Sequence, residues 1–162
     1  MAAKTKNELK VTLPDDTTIL LEREFDAPRR LVWDAMTKPG FVKQWWGPRG
    51  TTLPVCEIDL RVGGEWRYVN RGEDGSEFTF RGQYREISPV ERLSYTWIFD
   101  FAPYNEIAAV ETVELAEREG RTYARTTMVW PTKEARDGHA NAMQDGAAQT
   151  MDRLEELLAT LA

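Results

Sequence analysis

A change of hydrophobic period near residue 131 constrains this chain more than any other feature. Before it, apolar and polar residues alternate. After it, Ala140, Met143, Ala147, Met151, Leu154, Leu158 and Leu161 fall at steps of three and four, the spacing of one helix face. At 3.6 residues per turn the stripe predicts one continuous helix of about six turns. Pro131 and Gly138 predict a separate short turn over residues 133–137, with Thr132 as its cap. A long helix that is apolar on one side must cover that side, and the alternating segments offer a sheet face to do so.

The alternation marks the strands. Residues 17–25 follow the turn-forming Pro14-Asp15-Asp16 and read as a first strand, with 9–13 as its partner. Segments 55–60 and 65–70 form a hairpin about Gly63-Gly64, with Trp66 and Tyr68 on one face. Along 77–87 the residues Phe78, Phe80, Gly82 and Tyr84 share a parity, and along 92–99 so do Leu93, Tyr95, Trp97 and Phe99. Two more strands, 110–116 and 122–130, turn at Arg118-Glu119-Gly120. Such short connections suit an antiparallel meander.

Between the first strand and this meander lies FDAPRRLVWDAMTKPGFVKQWWGP, residues 25–48. Pro28 and Pro39 each suit a first helical position, where the missing N–H is not needed and φ is already helical. Two short helices follow, one with an apolar stripe of Leu31, Val32, Ala35 and Met36, the other with Phe41, Val42, Trp45 and Trp46. The expected architecture is α+β, a curved antiparallel sheet laid on a long C-terminal helix. Residues 17–162 form a single domain, and 1–16 are an N-terminal extension or a first strand segment.

A chain of 162 residues with 41% hydrophobic residues and six tryptophans can bury a core without disulfides or metals. Its formal charge of −6 argues against nucleic acid or an anionic membrane surface as partner, since either needs a basic face. No signal-peptide core is present, nor a run near the roughly 18 apolar residues of a membrane span. A single cysteine, Cys56, agrees with a reducing compartment, so the expected location is cytoplasmic.

Reactive residues are few. His139 reads as an exposed helix-end side chain, and Cys56 as a small buried hydrophobe. Glu111, Glu114, Glu117 and Glu119 read as a solvated face. Gly63-Gly64 and Gly146 do not form a phosphate cradle. Arg92 and Arg153 suit structural pairing with carboxylates or strand-end carbonyls. No metal site, cofactor or catalytic residue is expected.

The stretch 25–48, together with GGEWRY, RGQYREISPVERLSYTW and the terminal NAMQDGAAQTMDRLEELL, resembles the Hsp90 ATPase activator homologue family of the START and Bet v 1-like (SRPBCC) superfamily. The likeness runs from about Leu21 to Leu158. It implies a helix-grip fold in which the sheet holds the C-terminal helix, the two short helices close one end, and a cavity lies between. The family's GMxxGW pattern departs twice here, at Ala142 and Ala147. A tryptophan missing at position 147 either enlarges the cavity or is replaced by another aromatic.

The helix also grades in size. Ala140, Met143, Gly146 and Ala147 are small or flexible, whereas Met151, Leu154, Leu158 and Leu161 are bulky, so room is expected at the near end. With the implied fold, Trp66, Tyr68, Tyr84, Trp97, Phe99 and Met128 from the sheet would face Met143, Ala147 and Met151 across an apolar pocket. Phe41, Trp45 and Trp46 would be its lid. The alternative is that small helix residues only let the aromatics pack closely.

The expected function is binding of a small hydrophobic molecule, aromatic or lipid-like, without nucleic-acid or membrane partners. A polyketide cyclase, aromatase or hydrolase-like enzyme is the alternative, with Tyr84, Glu86 or an arginine as acid or base. The family name implies a third, a chaperone-interacting protein. Exposed aromatics around Trp45, Trp46 and residues 101–104 would serve that role or a homodimer contact.

Overall fold

A computed structural model describes residues 7–143 and 145–161. Eight strands run β1 (Lys10–Asp15), β2 (Thr18–Phe25), β3 (Thr52–Ile58), β4 (Glu65–Arg71), β5 (Glu77–Ser88), β6 (Arg92–Phe99), β7 (Ala108–Arg118) and β8 (Arg121–Val129). Helices α1 (Arg29–Thr37) and α2 (Pro39–Trp45) interrupt after β2, and α3 (Lys133–Ala142) and α4 (Gly146–Leu161) close the chain. All strands join one sheet in the order β1-β2-β8-β7-β6-β5-β4-β3, every neighbouring pair antiparallel. This is the α+β helix-grip arrangement, a curved sheet that carries its apolar face against the C-terminal helices. Among the described residues no helix is long and apolar enough to cross a membrane.

The helices differ from the sequence expectation. The continuous terminal helix is two helices, and the separate turn expected at 133–137 is the first part of α3. Thr132 does cap it, accepting from the Ala135 N–H at 3.1 Å. The break falls instead near Met143 and Asp145, just before Gly146. Asp and Gly are weak helix formers, Asp because its side chain competes for backbone groups and Gly because it loses more freedom. Gly138, by contrast, lies inside α3 with open space around it. Pro39 is the first residue of α2, whereas Pro28 stands one place earlier than expected, at the N-cap of α1. There the Arg29 N–H, left without an intrahelical acceptor, donates to Glu117 at 2.9 Å.

Packing follows the stripe on α4. Leu154 and Leu158 are fully buried, among Phe25, Val32, Trp33, Val42, Trp45 and Leu115. Polar ties then fix the helices to the sheet and to each other. Arg136, buried on α3, donates to the carbonyls of Asp15 and Thr18 and so holds α3 on the β1–β2 end. Arg153 on α4 donates to the carbonyls of Gln44, Gly47 and Pro48 at 2.9–3.1 Å, satisfying the exposed end of α2. Arg23, reaching from the inner face of β2, pairs with Asp152 at 2.7 Å and Glu155 at 3.5 Å. Arg92 bridges Glu86 and Glu114 at the surface, the structural role expected of it.

One irregularity redirects side chains. The β5–β6 register shifts between Tyr84 and Glu86, so Tyr84 pairs with Tyr95 but Glu86 with Ser94. An extra residue in one strand reverses the side-chain alternation beyond it. Tyr84 is therefore buried and faces inward, Ile87 packs on the core, and Glu86 is exposed despite sharing parity with Tyr84.

Candidate functional site: an aromatic cavity beneath the helix break

Above the sheet, where α3 gives way to α4, the side chains on the helices are small and the layers do not meet. A cavity of about 920 Å³ remains, lined on the helix side by Gly138, Ala142, Met143, Gly146 and Ala147. Bulk resumes with Met151, and from Leu154 onward helix and sheet are in contact. The volume lies within the range of roughly 300–1,000 Å³ usual for small-molecule sites.

All nine residues singled out on the strands and helices stand on its wall: Trp66, Tyr68, Tyr84, Trp97, Phe99, Met128, Met143, Ala147 and Met151. Trp45 and Trp46 reach it from the end of α2, but Phe41 is not among the lining residues. Phe41 lies one helical turn, about 6 Å, before Trp45, and packs half-buried against the core instead. Trp46 stands edge-on to Tyr68 at 5.1 Å and to Phe80 at 5.0 Å between centroids.

Two wall residues overturn the sequence reading. Glu111 is not part of a solvated face. It sits between Tyr95 and Met128 in the sheet register, shares its side with Ala109, Val113 and Leu115, and lines the cavity. The Tyr95 hydroxyl donates to its Oε2 at 2.5 Å. Removal from water pushes the Glu111 carboxyl above its ordinary pKa, and that hydrogen bond opposes the rise. Its neighbours in the acidic run do differ: Glu114 pairs outward with Arg92, and Glu117 caps α1.

His139 is likewise not an exposed helix end. Its ring lies 4.9 Å from Trp97 and 4.8 Å from Trp130, on the cavity wall. Burial lowers its pKa from 6.5 to about 4, so it is neutral at pH 7. Between pH 6.5 and 4 the unfolded chain holds the extra proton, so stability falls as pH falls. We expect acidification from pH 7 to 4 to cost about 2–3 kcal/mol through this residue, the indole faces returning a part by cation–π attraction. Glu111 acts in the opposite sense, its raised pKa favouring the folded state at lower pH. Urea unfolding of wild type and His139→Gln at pH 7 and pH 4 separates the two, and an equal loss in both proteins would exclude His139 as a source.

Other chemistry on the wall is muted. Burial holds the phenols of Tyr68, Tyr84 and Tyr95 protonated, helped at Tyr68 and Tyr95 by Glu111 and the neighbouring tyrosines and at Tyr84 by Cys56, while the Tyr68 hydrogen bond to Tyr84 opposes the rise there. Burial pushes the Cys56 thiol up to about 11, which keeps it unreactive. The acid–base candidate Glu86 is on the outer side, paired with Arg92 at 3.0 Å. Among the described residues no group of three or more His, Cys, Asp or Glu side chains is placed to hold a metal ion.

The family model for activator of Hsp90 ATPase homolog 1-like protein matches residues 26–159. A crystal structure of a Rhodobacter sphaeroides protein superposes with a TM-score of 0.87 at 26% identity, covering 96% of this chain and 100% of that one. One from Nitrosomonas europaea gives 0.80 at 27% identity, with 92% and 98% covered. A third, from Chromobacterium violaceum, gives 0.76 at 26%, with 89% and 98% covered. A search of curated proteins found no match.

Proposed function

The chain belongs to the activator of Hsp90 ATPase homolog 1-like family, and within that family we propose that it is a binding protein for a small, mostly apolar molecule held between the sheet and the C-terminal helices. The carrying observation is the cavity of about 920 Å³ walled by Trp66, Tyr68, Phe80, Trp97, Phe99 and Met128. A globular interior is otherwise packed to crystal-like density, so an apolar void of this size is costly unless something fills it. Polar side chains such as Glu111, His139 and Tyr95 are set into this mainly apolar wall, which is how such sites orient a ligand. The lone Cys56 thiol accords with a reducing compartment, so the reading places the binder in the cytoplasm.

Titration with the neutral dye N-phenyl-1-naphthylamine tests the reading. Wild type should enhance its fluorescence with a Kd of order 10 μM, typical of a partly matched apolar ligand. Ala147→Trp should fill the void from the helix side, weaken the dye by about thirtyfold or more and leave the melting temperature unchanged or higher. Absence of saturable binding in wild type, or undiminished binding in Ala147→Trp, would contradict it.

A further inference from the structure

We propose that the ligand is a cation, a protonated or quaternary amine on an apolar body, with its charge set against Glu111 and its alkyl groups against the rings around that carboxylate. The proposal rests on the binding reading above and adds the chemical class. Glu111 lines the cavity, yet among the described residues no ion pair reaches it, and its one hydrogen-bond donor is the neutral Tyr95 hydroxyl. A carboxylate that is half-buried in an apolar wall is costly without a cationic partner. Among the described residues the protein supplies none.

The surroundings match a cation better than any other charge type. Tyr95, beside Glu111, contacts Tyr84 at 5.9 Å and Trp66 at 5.7 Å between centroids, and Trp66 lies 4.7 Å from Tyr68. Four electron-rich rings are therefore in mutual contact, one of them bonded to the carboxylate, a composition that attracts ammonium groups through ring quadrupoles as well as charge. Arg23 is the one Lys or Arg on the wall among the described residues. It faces Ala124 and Leu115 in the register, four residues along β7 from Glu111 and two strands across, so the two backbones stand about 16 Å apart, and Asp152 and Glu155 already pair with it. His139 is neutral at pH 7, and Glu134 adds a second carboxylate at the wall. An anionic ligand would meet uncompensated negative charge. A neutral one would leave Glu111 desolvated and unpaired.

Phenyltrimethylammonium and tert-butylbenzene differ in charge but hardly in shape, so their competition against N-phenyl-1-naphthylamine isolates the charge term. Wild type should prefer the cation by about tenfold or more, and Glu111→Gln, which keeps an acceptor for Tyr95, should reduce that ratio to about threefold or less. Equal or reversed preference in wild type overturns the proposal whatever the variant does, and a ratio unchanged in Glu111→Gln overturns the role of Glu111. If the dye binds but the cation has no advantage, the amine class fails and the apolar binding site stands. If neither the dye nor either competitor binds wild type, both fail together.

Discussion

Gly82→Ala should cost about 4 kcal/mol or prevent folding outright, a large fraction of the roughly 5–15 kcal/mol that holds a domain of this kind together. The reason is the path of one indole. Trp66 on β4 lies across β5 and donates its Nε1–H to the Thr96 carbonyl of β6 at 3.1 Å. It can do so only because the residue it crosses has no side chain. A Cβ at Gly82 would stand 1.8 Å from the Thr96 oxygen and 2.5 Å from Trp66 Nε1. The first of these atoms is backbone in the middle of a sheet and cannot move aside. The substitution must therefore expel the indole, lose its hydrogen bond and part β5 from β6. Gly138→Ala makes the contrast, since that glycine lies inside α3 with nothing within 4 Å of an added Cβ. There the same change should stabilise by about 0.5–1 kcal/mol through helix propensity. Urea midpoints of the two variants check both signs, and a loss below about 1 kcal/mol at Gly82 would show that the sheet can yield there.

Much of this fold is legible in the sequence because strand parity and helix spacing are local. Trp66 and Tyr68, or Leu93, Tyr95, Trp97 and Phe99, declare a common face by alternation alone, and the likeness to a known family assigns that face its partner helix. Glu86 is different. It shares parity with Tyr84, and only the bulge between them turns it outward. A bulge is fixed by pairing with another strand, so parity cannot reveal it. His139 escapes for a similar reason: the two tryptophans around it come from β6 and from just after β8, and only the way α3 folds back on the sheet brings them to it.

Glu111 had a signal that charge clustering concealed. Ala109, Val113 and Leu115 alternate with it and are all buried, so the period-two pattern of β7 places it inward while Glu114 points out. A lone carboxylate in phase with an apolar face is more informative than its membership of an acidic run. The cavity volume is not legible at all. It depends on how far α3 and α4 stand from the sheet, which Arg136, Arg153 and Arg23 set through contacts more than 100 residues apart in sequence.

Trp45→Ala and Trp46→Ala should separate two roles in adjacent residues. Trp45 is 6% exposed, packs in the main core and donates its Nε1–H to the Ala35 carbonyl at 2.8 Å. Truncation leaves a large void and an unpaired acceptor near the end of α1, at a cost of about 4 kcal/mol. Trp46 has left the helix, with an extended backbone, and is half-buried against Tyr68 and Phe80 at the cavity wall. Its truncation mainly widens a space that already exists, so about 1–2 kcal/mol is the expected loss, close to the worth of its two ring contacts and partial burial. The dye should report the difference in the other direction. At a temperature where both variants are folded, Trp46→Ala should change the Kd for N-phenyl-1-naphthylamine by about fivefold or more, and Trp45→Ala by less. If Trp46→Ala instead unfolds the protein as readily as Trp45→Ala, Trp46 is a core residue and the end of the cavity is closed by something else.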